Sequence, residues 1–582
     1  MSISVLTRAY DNARTGANTQ ETELTAAAVG KRGVRRLFSL HLPGDQRGAE
    51  AQPLIVAGVQ MPDGKRRDLL LVATMGNLIF GFDANDGTQL WTRALGTPIG
   101  GNKSIDEYRI NDHWGILSTP VIDAAAGVMY LCAWTSPDGS VGKARHGLHA
   151  VRITTGQDVH AAPIDFEGAV YDPGHGAPRQ AFASAGRKQR ASLLLQANTV
   201  FVAFGSLQET SRQARGWIIA CDVRAWSITA VWASAAKGFG AGIWQAGSGL
   251  VSDAQGHIFC MTGNGTFDAQ TDWAESILKL RYTPPAGGQK TGSLAVADWF
   301  TPWTDDARVG LDRSGDAFDH PSPTNRRVYT EDVNAGWDDM DLGSGGPILA
   351  ADHGLILGAG KDGVLFVAKA NDMGKTKPHD LDKPQANYQR LAAAPIWFTF
   401  FPGFDVKPAP DDISALNQHF FGRTHHQHAA PLLWNSREHG TMLFCWGENS
   451  ELRAWTLAAN GKATYLACSA EVASAQATGQ FGGMPGGMMC LTSNGAVANT
   501  GVVWACIPYG DANTTVTNGR LLAYDATTFG TFGDGSKQLR VLWDSQDWNL
   551  TFLFCKFTPP VVANGKVYVP TYGARIDVYG LA

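Results

Sequence analysis

The chain has 582 residues, of which 17% are charged, and its formal net charge is -5. This charge balance argues against a general nucleic-acid or membrane-surface binder, which would need a basic surface. No apolar run in the sequence approaches the roughly 20 residues that a membrane-spanning helix requires. The 67 glycines and 18 tryptophans are typical of a sheet protein with many tight turns and a large buried core.

The N-terminal stretch MSISVLTRAYDNARTGAN contains no basic segment followed by an apolar one, so it does not read as a signal peptide. The eight cysteines stand singly, mostly inside apolar strand-like segments, and we expect most of them to be buried free thiols. Both features favour a cytoplasmic location. If a leader has been removed from the chain, we expect a periplasmic or secreted location instead.

Units of about 40 to 60 residues repeat along the chain, which is a sign of a repeat architecture. The clearest unit, residues 51–96, reads as four strands, and related units follow it to the C-terminus. Four-stranded units of this kind are typical of β-propeller blades. The sequence therefore predicts an all-β fold, an eight-bladed propeller of antiparallel blades, as a single domain spanning residues 1–582.

The last unit, FTPPVVANGKVYVPTYGARIDVYGLA, supplies only three strands. The N-terminal stretch RRLFSLHLPG at 35–44 is the candidate for the missing fourth strand, because such a strand closes the ring and leaves no long sheet edge exposed. Two segments, about 284–343 and 374–424, do not fit the blades. Their length and aromatic content predict ordered loops that cover one face of the ring.

The residues just before each inner strand should converge on one mouth of the central channel. These residues are His113, Trp114, Trp244, Asp338, Asp339, Asp341, His425, His426, His428, Met484 and Lys556. Acids, imidazoles and a flat aromatic side chain around one axis form a candidate site for a small-molecule ligand.

The stretch FDANDGTQLW at 82–91 resembles the AxDxxTGxxxW blade signature of the pyrroloquinoline quinone (PQQ) propellers, and the resemblance extends over nearly the whole chain. The specific comparison is with the PQQ-dependent quinoprotein alcohol dehydrogenases, which also have eight blades. The resemblance implies an oxidoreductase that uses PQQ and Ca²⁺ at the axial mouth to oxidise an alcohol or related small molecule.

Several residues match the family's site motifs. GIWQAGSGLVSDAQGHIFCMTGNG at 242–265 is similar to the segment that carries the stacking tryptophan and an asparagine ligand of calcium, which implies these roles for Trp244 and Asn264. SLQETSRQARG at 206–216 resembles the segment of another calcium ligand, although its spacing is longer by about two residues. This implies Glu209 as a ligand, with Arg215 as a further cofactor-binding residue.

WDDMD at 337–341 resembles the family's WDxD motif. It implies that Asp339 or Asp341 is the catalytic base, with Asp338 less favoured, and that Asp341 is a candidate calcium ligand. GKDGVLFVAK implies Lys361 as the basic residue near the quinone oxygens. In this chemistry calcium takes oxygen ligands and a carboxylate removes the alcohol proton while hydride passes to the quinone.

The chain also departs from the family. No cysteine lies between residues 96 and 114, where an adjacent-cysteine disulfide should cap PQQ, so Trp114 or His113 would have to serve. No CxxCH motif is present, so the sequence predicts no covalently attached haem domain.

Two alternatives remain open. In THHQHAAP at 424–431, His426 and His428 alternate on a strand and could point to one face, with His113 approaching from the opposite side of the ring. Because imidazole suits copper and iron, these three histidines predict a redox-metal oxidase or oxidative cyclase without PQQ. The other alternative is a non-catalytic binding scaffold. The substrate and the oligomeric state stay open.

Overall fold

A computed structural model describes residues 2–102, 104–209, 211–301, 341–361, 364–375, 426–477, 483–495 and 497–582. It also describes the backbone of residues 397–400. Within these residues the strands form the eight four-stranded antiparallel blades of a β-propeller. The predicted fold class is therefore confirmed. One α-helix, Ala26–Arg32, is present in the part of the chain described, and none there is long and apolar enough to cross a membrane.

The blades follow one another in chain order, each from its inner to its outer strand. Blade 1 comprises Leu54–Gln60, Arg66–Ala73, Leu78–Asp83 and Gln89–Ala94, and blade 2 comprises Val121–Asp123, Val128–Thr135, Arg145–Arg152 and Ile164–Asp165. Blade 3 comprises Leu194–Gln196, Thr199–Ser206, Trp217–Asp222 and Ser227–Ala233, and blade 4 comprises Val251–Ser252, His257–Met261, Ile277–Thr283 and Ser293–Phe300. Blade 5 comprises Ile348–Ala350, Leu355–Ala359, Val364–Lys369 and Trp397–Phe400, and blade 6 comprises Leu432–Ser436, Gly440–Cys445, Glu451–Leu457 and Ala463–Val472. Blade 7 comprises Met488–Thr492, Val502–Pro508, Asn518–Thr531 and Lys537–Asp544, and blade 8 comprises Val561–Ala563, Lys566–Thr571, Arg575–Leu581 and Val34–His41.

Short elements connect or flank these blades. They are the strands Ala17–Asn18, Ile99–Gly100, His113–Trp114, Val170–Tyr171, Gln180–Ala181, Arg187–Lys188 and Phe552–Leu553, and the 3₁₀ turns Val141–Lys143, Ser184–Gly186, Gln245–Gly247, Leu342–Ser344, Ala351–His353 and Ser545–Trp548.

The ring closes as predicted, through the N-terminal strand Val34–His41. This strand pairs antiparallel with Arg575–Leu581, in a register that runs from Val34 opposite Leu581 to His41 opposite Arg575. Blade 8 therefore takes one strand from the beginning of the chain and three from its end. This pairing covers the edge that the last repeat would otherwise expose.

The loop boundaries predicted at 284–343 and 374–424 include two strands. Ser293–Phe300 is the outer strand of blade 4, and Trp397–Phe400 is the outer strand of blade 5. Most of the remainder of both segments lies outside the described residues, so covering loops over one face stay a prediction.

Packing between blades explains why their second strands are almost continuously apolar. Seven of the eight residues of Val128–Thr135 are buried, because blades pack against both faces of this strand. None of the six residues of the outer strand Gln89–Ala94 is buried. The tryptophan of the repeat signature joins neighbouring blades, since Trp91 Nε1 donates to the carbonyl of Ile153 in blade 2 at 3.0 Å.

The cysteines all lie in the described part of the chain and are free. Seven are buried and Cys468 is half-buried. Burial in the apolar core raises the pKa of Cys132 and Cys221, so these thiols stay protonated and act as small hydrophobic side chains.

Residues 5–18, named the plug here, lie at the axis of the ring and contact the inner strand of every blade. Val5 pairs with Ile55 of blade 1 in both directions, at 2.7 and 3.0 Å. The other contacts join Leu6 to Ile122, Asn12 to Leu195 and Ser252, Ala13 to Leu349, Thr15 to Leu433, Gly16 to Leu491, and Tyr10 to Val562. The plug therefore satisfies backbone groups that the inner strands direct toward the axis.

Arg14 is the central side chain of the plug and is 0% exposed. Its Nε donates to the Leu250 carbonyl at 3.0 Å, and its Nη2 donates to the Leu193 carbonyl at 2.9 Å. Its Nη1 donates to Thr7 Oγ1 at 2.7 Å and to the Arg8 carbonyl at 2.8 Å. Arg14 thus links the plug to blades 3 and 4 through neutral acceptors.

Candidate active site

A cavity of about 770 Å³ lies at the axis, at the mouth of the ring where the segments that lead into the inner strands converge. This volume falls in the range of about 300–1,000 Å³ that is typical of small-molecule sites. The lining residues of this axial cavity are Arg190, Ser206, Leu207, Gln208, Glu209, Trp244, Ala246, Asp341, Ser344, Lys361, His428, Met484, Asn513, Lys556 and Phe557. The plug lies against this layer, because Arg8 Nη2 donates to the Phe557 carbonyl at 2.9 Å.

Trp244 forms one wall of the axial cavity, and the strand Thr199–Ser206 of blade 3 supports its ring. A Cβ atom on Gly205 would lie 2.5 Å from both Cδ2 and Cε2 of Trp244. Only glycine therefore lets the indole lie with its face against this strand. Trp244 is half-buried and lines the cavity, and an indole in such a position offers apolar surface to a planar ligand.

Glu209 fixes the orientation of that indole. Trp244 Nε1 donates a hydrogen bond to Glu209 Oε1, and both side chains line the cavity. Glu209 follows the same strand that carries Gly205. A single segment of blade 3 therefore provides both the surface beneath the ring and the carboxylate at its edge.

Asp341 lies at the centre of a second polar group. The backbone N–H of Asn264 donates to Asp341 Oδ1 at 2.9 Å, and Lys361 Nζ donates to Asp341 Oδ2 at 2.8 Å. A Cβ atom on Gly263 would lie 2.0 Å from Asp341 Oδ1, so the carboxylate packs directly on backbone. Asp341 and Lys361 line the cavity, and Asn264 is buried beside them.

Cationic side chains line another part of the cavity. Arg190 Nη1 donates to Glu50 Oε2 at 2.6 Å, and Tyr572 Oη donates to the other oxygen of Glu50. Lys556 Nζ donates to Asn513 Oδ1 at 3.1 Å. Burial, together with the nearby charge of Arg190, lowers the pKa of Lys556 to about 8. These cations make this end of the cavity suited to an anionic group.

His428 brings imidazole to the cavity wall, beside a buried carboxylate. Its Nε2 lies 2.8 Å from Glu448 Oε1, and Nδ1 of His426 lies 3.8 Å from Glu448 Oε2. We call His426, His428 and Glu448 the histidine cluster. The structure thus brings together two of the three histidines of the redox-metal hypothesis. The third, His113, lies elsewhere, with Nδ1 3.5 Å from Asp45 Oδ2.

Two residues predicted to bind a cofactor do not contribute to the cavity lining. Trp114 is 2% exposed, and Lys188 Nζ lies 3.8 Å from the centroid of its ring. Arg215 directs its guanidinium to backbone carbonyls, with Nε donating to Ala235 at 3.0 Å and Nη2 donating to Gly238 at 3.3 Å. Both side chains support the surrounding chain in this arrangement.

The predicted base Asp339, together with Asp338 and His425, lies outside the described residues. Its catalytic role therefore stays a prediction from the sequence. Asp341 and Lys361 lie within the described residues, at the positions given above.

Arg190 and Glu448 are site residues that the sequence patterns alone did not indicate. Arg190 precedes the inner strand Leu194–Gln196, so aligning blade 3 with the others would have placed it at the mouth. Glu448 comes three residues after the second strand of blade 6, and Glu209 comes three residues after the second strand of blade 3. Because a second strand returns the chain to the mouth, polar residues at this repeat position are a usable signal.

No protein-family model matches the chain, and a search of curated proteins found no similar sequence. Among solved structures, the chain is similar to the crystal structure of quinohemoprotein alcohol dehydrogenase from Comamonas testosteroni, with a TM-score of 0.51 and 14% identity over 99% of this chain and 80% of that one. It is also similar to a europium-containing methanol dehydrogenase, with a TM-score of 0.51 and 11% identity over 99% of this chain and 98% of that one. These similarities support the β-propeller fold of the chain.

Proposed function

We propose that the protein is a quinoprotein-type oxidoreductase that binds PQQ and Ca²⁺ in the axial cavity and oxidises an alcohol or related small molecule. The observation that carries this proposal is the indole of Trp244, which is seated on Gly205 and oriented by Glu209 at the cavity wall. A flat aromatic face held in this way suits a planar cofactor.

The residues around the cavity fit the chemistry of PQQ, which is a planar tricarboxylic acid. Trp244 offers a stacking surface, and Met484 and Phe557 add apolar surface to the same cavity. Arg190 and Lys556 supply positive charge for carboxylate groups. Cations that are partly removed from water bind carboxylates more strongly than exposed ones do.

The donor set also suits a calcium ion. Ca²⁺ takes oxygen ligands from carboxylates and amides, and Glu209 and Asp341 place carboxylates at the cavity while Asn264 lies beside Asp341. Asp341 already bonds Lys361 at 2.8 Å, so we expect Glu209 and Asn264 to be the principal ligands.

When bound, PQQ with its metal supplies the hydride acceptor for alcohol oxidation. The chain's own residues would orient the substrate and move its proton. Asp341 Oδ2 accepts a hydrogen bond from Lys361 Nζ at 2.8 Å, and a carboxylate at the cavity can accept the hydroxyl proton. Asp339, from the sequence, is the other candidate for this role.

The test is binding of PQQ to the full chain in the presence of Ca²⁺, followed by dye-linked activity on a panel of alcohols. Trp244→Ala should weaken PQQ binding by about 30-fold or more, since losing a buried aromatic anchor costs about 2 kcal/mol or more. Trp226→Ala is the matched control, because Trp226 stacks on His160 at 3.9 Å and does not line the axial cavity. Absence of PQQ binding and of activity in the wild-type protein would rule out the proposal.

A further inference from the structure

The histidine cluster shares no residue with the proposed calcium ligands Glu209 and Asn264, and two of its three donor groups are imidazoles. One ligand atom from each of His426, His428 and Glu448 lies within 4.8 Å of the other two. Within the described residues, this is the group of His, Cys, Asp and Glu side chains whose geometry could hold a metal ion. Imidazole nitrogens favour transition metals, whereas calcium prefers oxygen.

The local structure brings the three side chains together. His426 and His428 stand two residues apart just before the inner strand Leu432–Ser436, and the centroids of their rings lie 5.9 Å apart. The backbone N–H of Glu448 donates to the His426 carbonyl at 3.0 Å. This hydrogen bond holds the loop after the second strand of blade 6 against the segment that carries both histidines.

Burial makes the cluster distinct from a surface ion pair. The side chains of His428 and Glu448 are 3% and 4% exposed, and that of His426 is 18% exposed. One imidazole is enough to pair with a carboxylate, but here two imidazoles approach the two oxygens of the same carboxylate. Two histidines and one carboxylate are a known ligand set for divalent transition metals with open coordination positions.

We propose that His426, His428 and Glu448 bind one divalent transition-metal ion of the iron-to-zinc series. Ligand atoms around such an ion stand roughly 3.3 Å apart when metal–ligand distances are about 2.0–2.1 Å. Binding would therefore bring His426 and Glu448 slightly closer than their present 3.8 Å and move His428 and Glu448 slightly apart from 2.8 Å. His428 lines the axial cavity, which puts the ion at the cavity wall. A substrate oxygen can then occupy an open position, where the ion acts as a Lewis acid.

The experiment uses the full chain, without an affinity tag, after treatment with a chelator and without added PQQ or Ca²⁺. Co²⁺ is titrated in while the visible d–d absorption is recorded, and equilibrium dialysis with elemental analysis then measures the stoichiometry of Co²⁺ and of Zn²⁺. We expect one equivalent per chain. His428→Ala and Glu448→Gln should each weaken binding by more than about 100-fold, because changes even in the second shell cost about 10–100-fold.

The matched control is His257→Ala. His257 also pairs with a carboxylate at 2.8 Å, that of Asp253, so this variant loses a similar pair and should keep full metal binding. Circular dichroism checks the fold, and Glu448→Gln keeps the shape of the side chain if His428→Ala does not fold. Trp244→Ala should retain the metal, which separates this site from PQQ binding. Wild-type protein without stoichiometric metal, or a His428→Ala variant with unchanged affinity, would overturn the proposal.

Discussion

The plug and the axial cavity are adjacent layers of the same channel, and both contain buried cations with very different partners. In the plug, the donors of Arg14 reach carbonyls and a hydroxyl, all neutral and all within the chain. In the cavity, Arg190 pairs with a buried carboxylate and Lys556 with one amide, and both cations line open space. A buried cation surrounded by carbonyls indicates a structural role, whereas one at a cavity wall indicates a ligand site.

The largest expected effect is on the plug side of this comparison. Arg14→Met would leave the carbonyls of Leu193 and Leu250 without their donor, and losing several buried charge-assisted hydrogen bonds costs about 3–5 kcal/mol. Urea unfolding should show this loss in the free energy of unfolding. Arg179→Met is the control, because Arg179 is 74% exposed in its pair with Asp172 and its loss should cost under about 0.5 kcal/mol. Equal stability of the two variants would contradict a structural role for Arg14.

The next prediction concerns Gly205, against which the Trp244 indole packs. Gly205→Ala places a methyl group against the Trp244 ring, which should cost about 1–3 kcal/mol of stability and tilt the ring away from Glu209. We expect PQQ binding to weaken as well, as measured by fluorescence titration. Gly186→Ala is the control, since no atom lies within 4 Å of a Cβ there. An unchanged affinity for PQQ in Gly205→Ala would show that the indole face does not bind the ligand.

A further effect, which depends on pH, comes from Lys188, whose Nζ lies 3.8 Å from the centroid of the Trp114 ring. Burial and the charge of Arg190 lower the pKa of Lys188 from 10.5 to about 7. Between these two values the unfolded chain binds more protons than the folded chain, so this lysine makes stability rise with pH.

Lys188→Met should therefore flatten the pH dependence of stability between pH 7 and 10.5, by up to about 1.4 kcal/mol per pH unit. The variant should gain most over the wild type at pH 7 and below. Unfolding midpoints across this range measure the effect. Lys462→Met is the control, because Lys462 is exposed and its loss should leave the slope of stability against pH unchanged. A slope in Lys188→Met equal to that of the wild type would mean that the folded chain keeps this lysine charged.

The smallest effect is a fraction of a proton. Because the pKa of Lys556 is lowered to about 8, an anionic ligand bound beside it should raise that pKa and draw in about half a proton at pH 8. Calorimetry of PQQ binding in buffers of different ionisation enthalpy measures this uptake. Lys556→Met should abolish it, and proton release in place of uptake would contradict the anion-binding role of this end of the cavity.

The repeat pattern was enough to predict the blades and the closing strand Val34–His41, because apolar periodicity and turn residues act locally. The plug could not be predicted, because residues 5–18 bind largely through backbone atoms, which leave no side-chain signature. Arg14 illustrates the difficulty: an arginine before a Thr-Gly turn reads equally well as a ligand contact or as a structural residue.

The site was predictable only in part, for a related reason. Trp244, Glu209, Asp341 and Lys361 line one cavity, and the roles that the motif resemblance implies for them stay predictions. The prediction that His113 joins His426 and His428 at one metal depended on which blades face each other across the axis. The sequence does not specify how far each side chain extends toward that axis. Glu448 replaces His113 in the histidine cluster, because it follows a second strand that returns to the mouth.

The chain contributes its first residues to every blade and its strand Val34–His41 to the last one. During synthesis the strand Val34–His41 leaves the ribosome well before its partner Arg575–Leu581, which follows about 540 residues later. At the usual rate of about 5–20 residues per second, this strand waits roughly half a minute to two minutes for its partner. A strand that is made early is thus among the last to be fixed, and a chain that lacks residues 575–581 leaves Val34–His41 without its pairing partner.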